Sequence, residues 1–212
     1  MKKIISLLLL LVTLALSCVS LTGCAAPKVE EIYDRVVYLV EASYEVNTML
    51  YGNGLPVYHA DSEYAQIKHI YFNFADVGMY EYVTEQAKCF TFEQIQSKAR
   101  KIYSEACLES LFEFCFTGYA TNDGSGHMVI DRARYREDQT WIFQSTAENN
   151  FACEMRFYDY STMKVNSLGR RDACSVSMDS WLVSSPNKVE TVEIYLVLQD
   201  GEWLLDSVTG LA

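Results

Sequence analysis

Proline and histidine are both scarce in this sequence, three of each in 212 residues. With so few prolines, and no Ser/Gly-rich stretch, no linker divides the chain. The histidines, His59, His69 and His127, are far apart, and neither HExxH nor any paired-His spacing occurs, which argues against a hydrolytic zinc centre. Basic side chains are also in deficit: 17 Lys and Arg stand against 28 Asp and Glu, a net charge of -11. A nucleic-acid partner is thereby excluded, because phosphate contacts need clustered Lys and Arg. The ten glycines form neither a Walker nor a dinucleotide-binding pattern, and Ser125, although between glycines, lacks the GxSxG spacing of a nucleophile elbow. Internal repeats are absent.

What the chain does have is apolar and aromatic mass. Half of it is hydrophobic and 13% aromatic, with 15 Tyr, 10 Phe and 3 Trp. That composition excludes a disordered chain, a collagen-like repeat and a coiled coil.

The first residues read as a targeting segment. Lys2 and Lys3 precede an apolar run over residues 4–16 broken only by Ser6 and Thr13, followed by Leu21-Thr22-Gly23-Cys24. The run is short for a hydrocarbon core of about 30 Å, so a cleaved signal is the better reading than a membrane-spanning helix. Leu21-Thr22-Gly23-Cys24 resembles the bacterial lipoprotein signal, in which a diacylglycerol is joined to the cysteine sulfur before the peptidase cuts. A rival at Ala15-Leu16-Ser17-Cys18 places bulky Leu16 where that signal prefers a small or weakly branched residue. The resemblance implies removal of residues 1–23, lipid attachment at Cys24, a short tether over residues 24–28, and a membrane-anchored domain facing outside the cytoplasm.

Of the seven cysteines, discarding Cys18 and lipidating Cys24 leaves Cys89, Cys107, Cys115, Cys153 and Cys174. No CxxC spacing occurs, an odd number cannot all pair, and most are expected as small core residues, with a single bridge such as Cys153–Cys174 left open.

Residues 29–212 are expected to form one α+β domain. Ile32, Val36, Leu39, Val40, Val46 and Leu50 repeat at helical spacing, and Gly52-Asn53-Gly54-Leu55-Pro56 stops that helix. Residues 57–78 carry no assignable pattern. Tyr80-Glu81-Tyr82-Val83 suggests a strand. Thr91 and Gln94 form a capping box, with Phe90 and Ile95 placed as a hydrophobic staple, for a helix to about Tyr103. Ser104 caps a second helix ended by Gly118, and residues 121–126 read as a polar loop. From Met128 the period becomes two, with strands expected near 130–145, 151–158, 162–168, 173–184, 189–199 and 202–208. Asp200-Gly201 is the favoured dipeptide of a tight hairpin. Helices first and a meandering antiparallel sheet after them give an α+β fold, with a long helix and a helical pair packed on a curved sheet.

This layout, closing with residues 199–207, resembles the nuclear-transport-factor-2-like and cystatin-like domains of bacterial lipoproteins. Residues 80–104 are also similar to secreted inhibitors of cell-wall DL-endopeptidases. The resemblances imply a binding protein without catalysis, lipid-anchored in the envelope, that inhibits or modulates a cell-wall hydrolase. A different class within the same fold is a small-molecule-binding protein or proton-transfer enzyme with a carboxylic acid beside Tyr in an apolar pocket.

No residue spacing singles out a catalytic group or calls for a cofactor. His59-Ala60-Asp61-Ser62-Glu63 could gather ligands on one strand face, but one histidine does not make a zinc site, and Asn122-Asp123-Gly124-Ser125 lacks the alternating acids and closing Glu of a calcium loop. Trp141, Trp181 and Trp203 all fall in the strand-rich part. Trp181, Tyr195 and Trp203 are the candidates for a ligand or partner face, the other expectation being that the tryptophans fill the core.

Overall fold

The computed structural model describes residues 26–58, 80–122, 128–137, 141–145 and 155–210, with backbone alone over 119–122 and 128–132. Cys18, Cys24, His59, His69, His127, Ser125 and Cys153 lie outside the described residues, as do the segments 1–25 and 59–79.

Among the described residues three α-helices form where the apolar period and the caps require them. Helix α1 is Val29–Leu50, and all six residues of its apolar stripe are buried. Helix α2 is Phe92–Arg100; Thr91 Oγ1 accepts from Gln94 N at 3.1 Å, and Gln94 Oε1 accepts from Phe90 N at 2.6 Å. The return bond therefore reaches one residue beyond the N-cap. Helix α2 stops short of Tyr103 because an edge strand competes for the next backbone groups: Leu205 N donates to Ile102 O, and Ser104 N to Leu205 O, both at 2.8 Å. Helix α3, Glu105–Phe112, is capped by Ser104 Oγ, which accepts from Cys107 N at 3.1 Å. It widens into a π turn over Glu113–Thr117, closed by Gly118 at φ 77°.

Among the described residues the strands make three antiparallel sheets. One has the order β1 (Tyr80–Tyr82), β5 (Ile142–Ser145), β4 (Tyr135–Glu137). The second is the hairpin β2 (Gly118–Asn122) with β3 (Met128–Arg132). The third follows chain order: β6 (Arg156–Ser167), β7 (Ala173–Leu182), β8 (Glu190–Gln199), β9 (Glu202–Leu205). The fold is α+β. Several boundaries depart from the sequence reading. The stretch 130–145 divides into β3, β4 and β5, and β2 begins where the helical pattern ends. Residues 156–158 of the run expected near 151–158 join the run expected near 162–168 in one long strand, β6, with a register irregularity between Asp159 and Lys164, while residues 151–154 lie outside the described residues. At the β8–β9 turn Asp200 and Gly201 both take positive φ, 53° and 86°, as a type I′ hairpin demands.

The main core lies between α1 and the facing side of β6–β9, where Cys174, Val176, Met178, Ile194, Leu196 and Leu205 meet the α1 stripe. A smaller aromatic cluster of Tyr80, Tyr82 and Phe143 packs with Trp141, whose Nε1 donates to Val83 O at 2.8 Å. Cys89, Cys107, Cys115 and Cys174 are free thiols, and Cys153, the other half of the bridge left open by the sequence, lies outside the described residues.

Two buried polar arrangements fix α1 in place. Thr209, just beyond β9, accepts at its carbonyl from Asn47 Nδ2 (2.8 Å) and Tyr51 OH (2.7 Å), while its hydroxyl pairs with Ser43 Oγ at 2.6 Å. Asn47 Oδ1 in turn accepts from Tyr103 OH. At the end of α1 the buried Arg134 guanidinium donates from Nε to Met49 O at 2.9 Å and from its NH2 group to Gly52 O. A cation thus meets the carbonyls that a helix C-terminus leaves unpaired.

Candidate functional site

Antiparallel register decides which side of the four-stranded sheet each residue occupies, because successive side chains alternate. Cys174, Val176 and Met178 of β7 point at the core, so Ser175, Ser177, Asp179 and Trp181 point away from it. Pairing carries this outward side across the sheet: Phe157 and Asp159 of β6 oppose Trp181 and Asp179, while Thr191, Glu193 and Tyr195 of β8 oppose Asp179, Ser177 and Ser175. Helix α1 covers one side of the sheet; the other side, the open face, carries exposed Phe157, Thr191, Glu193 and Tyr195 with Ser175 and Leu204 buried within it.

The three candidate residues do not come together. Trp203 pairs with Leu198 and packs against the main core, on the covered side of the sheet. Trp181 and Tyr195 both lie on the open face, but at opposite ends. Tyr195 is paired with Ser175, six residues along β7 from Trp181, or about 20 Å at 3.3 Å per residue. The Tyr195 hydroxyl is held by Glu193 Oε2 at 3.1 Å, and that carboxylate pushes the phenol pKa up. Glu193 Oε1 also accepts from the buried Ser175 Oγ at 2.5 Å.

At the β7–β8 turn end the sequence reading missed a cluster. Met155 opposes Val183, with Val183 N donating to Met155 O at 3.0 Å, one step beyond the Phe157–Trp181 pair. The Phe157 and Trp181 rings stand 6.1 Å apart. Continuing the β7–β8 register puts Val189 beside Trp181. Met155, Phe157, Val183 and Val189 are 53, 48, 48 and 59% exposed. These residues are scattered over 35 positions of sequence and no single strand pattern marks them. The next row inward is the pair Asp159 and Asp179, directly opposite each other. Asp159 Oδ1 accepts from Ser161 N (3.0 Å) and Ser161 Oγ (2.6 Å), and Asp179 Oδ1 accepts from Thr191 Oγ1 at 2.8 Å.

A separate cleft of about 290 Å³ has Phe92, Phe116, Tyr135, Arg136 and Glu137 among its walls. It pairs a carboxylate with a tyrosine, but both are engaged. Tyr135 OH donates to Met49 O at 2.7 Å, and burial pushes this phenol up to about 12. Glu137 Oε1 accepts from Phe92 N at 3.2 Å, at the start of α2. The described thiols are likewise poor nucleophiles at neutral pH, since thiolate is the reactive form. Burial pushes Cys107 and Cys174 up to about 11 and Cys115 to about 12. At Cys89 burial outweighs the neighbouring Lys98 ammonium, and the pKa still rises.

Among the described residues no cluster of three His, Cys, Asp or Glu is placed to hold a metal, and no helix is long and apolar enough to cross a membrane. No family model matches the chain, and no curated protein matches it.

Proposed function

We propose that this chain is a lipid-anchored extracytoplasmic binding protein that acts through the open face of its four-stranded sheet, and that the partner it modulates is a cell-wall hydrolase. The observation that carries the reading is the face itself, where exposed Phe157 and Val189 flank half-buried Trp181 opposite the side packed on α1. The anchor comes from the sequence: Cys24 lies in a lipoprotein-like signal, with only residues 25–28 between it and α1. Resemblance to the nuclear-transport-factor-2-like and cystatin-like lipoproteins supports the same reading, as does an acidic chain suited to a partner with a basic substrate groove.

The direction of α1 agrees with this. Arg35, near its start, donates to Trp203 O at 2.9 Å and pairs with Glu202 at the β8–β9 hairpin, whereas Tyr44 OH accepts from Arg156 N at the start of β6. The start of α1 therefore lies at the hairpin end, and the exposed apolar cluster lies at the other.

Two experiments test the reading. Replacing Cys24 by Ser should release the protein from its firm hold on the membrane; retention through detergent-free washes refutes the lipid anchor. In a turbidity assay of peptidoglycan digestion by an envelope extract, vesicles carrying the full chain should slow clearing. Clearing by the vesicles alone would make the chain a catalyst and refute the reading.

A small-molecule reading rests on the cleft at Phe92, Phe116 and Tyr135, whose aromatic walls suit an apolar ring. Saturable quenching of protein fluorescence by a small envelope metabolite, lost in Phe116→Ser, would favour it.

A further inference from the structure

We propose that the distal end of the open face, where Phe157, Trp181, Val183 and Val189 adjoin the Asp159–Asp179 pair, docks a basic segment of a partner protein that carries an aliphatic or aromatic anchor. This rests on the reading of the open face as the binding surface and names the chemistry of its partner.

The apolar part supplies the anchor site. Contiguous exposed apolar clusters on soluble proteins mark interaction surfaces, and Trp is prominent among the residues that dominate binding energy. Here the Phe157 and Trp181 rings are already paired at 6.1 Å, on two hydrogen-bonded strands, so little ordering is left to do on binding.

The charged part selects among occupants. Like charges directly opposite each other on an antiparallel pair are destabilising. Asp159 and Asp179 are so placed, and among the described residues neither is in an ion pair. At the turn end Arg156 lies 3.5 Å from Glu190 and Lys188 2.5 Å from the same carboxylate, and Lys164, opposite Ser177 one row inward, makes no ion pair with either aspartate among the described residues. A cation brought by a partner would relieve the opposed carboxylates. A second copy of this chain would bring its own aspartate pair to the contact, and an anionic bilayer would be repelled. The cluster also lies at the end of the sheet away from the start of α1, where an anchored chain faces outward from the membrane.

The test uses the full chain in vesicles of zwitterionic lipid and three short labelled peptides, one alternating Lys with Leu, one alternating Glu with Leu, and one alternating Lys with Ser. Fluorescence polarisation should show the Lys–Leu peptide binding at least about tenfold more tightly than either control, with affinity falling as salt rises. Trp181→Ser and the double variant Asp159→Asn/Asp179→Asn should each remove most of that preference, and Val189→Ser, which alters the most exposed of these side chains, should weaken it with the fold intact. Glu109→Gln, on the exposed side of α3, should leave it unchanged. Equal binding of the Lys–Ser peptide, or a preference surviving in the Trp181 and aspartate variants, overturns the proposal. So does self-association or binding to anionic vesicles that Val189→Ser abolishes. The digestion assay separates the two readings. Slowed clearing that persists in Trp181→Ser refutes this docking site alone, while peptide selectivity without any effect on clearing refutes the hydrolase reading alone.

Discussion

Truncating Asn47 to Ala tests whether the buried knot around Thr209 holds α1 to the rest of the chain. Asn47 is 1% exposed, and its amide donates to Thr209 O at 2.8 Å and Thr209 Oγ1 at 3.0 Å while its carbonyl accepts from Tyr103 OH. After truncation, Thr209 O keeps Tyr51 and Thr209 Oγ1 keeps Ser43, but Tyr103 OH retains only its 3.2 Å contact with Thr209 Oγ1. Losing these three hydrogen bonds, two of which share one amide nitrogen, costs about 2 kcal/mol, and the small cavity adds about 1 kcal/mol, so the variant should be less stable by about 3 kcal/mol. At 2–4 °C per kcal/mol for a chain of this size, Tm should fall by about 6–12 °C. Urea unfolding followed by circular dichroism gives the free energy directly. Tyr103→Phe alone should cost about 1 kcal/mol, and the double variant should show coupling of at least about 0.5 kcal/mol because both remove one shared bond. A loss below about 0.5 kcal/mol for Asn47→Ala, typical of surface positions, would refute the reasoning.

Arg134→Met should destabilise by about 3 kcal/mol in the same urea assay, since it takes the Arg134 donor from Gly52 O and leaves Met49 O with Tyr135 OH alone, and Arg134→Lys should recover less than half because an ammonium lacks the planar fork. Gly201→Ala should cost about 1 kcal/mol through its φ of 86° alone, because no neighbouring atom lies within 4 Å of the added Cβ. The Cys115 thiol, whose ordinary pKa is 9.0 and whose folded value is about 12, predicts a pH dependence in the urea assay. Below pH 9 both states keep the proton and this thiol adds no slope. Between about pH 9 and 12 the unfolded chain releases it first and stability falls as pH rises. At pH 8 a thiolate-directed reagent should label Cys115 only after unfolding; rapid labelling in native buffer would contradict its burial.

The sequence was most readable where one residue type settles a local conformation. Thr91 and Ser104 mark helix starts through hydroxyls that accept from the first turn, and Asp200-Gly201 marks a hairpin because both positions need positive φ. The α1 stripe was legible for the same reason, its period being a property of neighbours three and four apart. The arrangement β1–β5–β4 was not, because β1 meets β5 across some 60 residues and no local pattern encodes that pairing. Faces were equally hidden. Trp181 and Trp203 look alike in sequence, yet register sends one outward and the other to the core side. Arg134 misleads by composition, since a charged side chain reads as solvated until helix-end carbonyls surround it.

The two margins of the four-stranded sheet bear on how a partner can engage it. At β9 the backbone is occupied by Ile102 and Ser104, and at β6 the irregularity between Asp159 and Lys164 breaks the even spacing a foreign strand would need. A partner gains no main-chain ladder at either margin, so recognition must be written in side chains, where single substitutions can retune it. Chains crowded side by side also find no flat margin there on which to stack into fibrils.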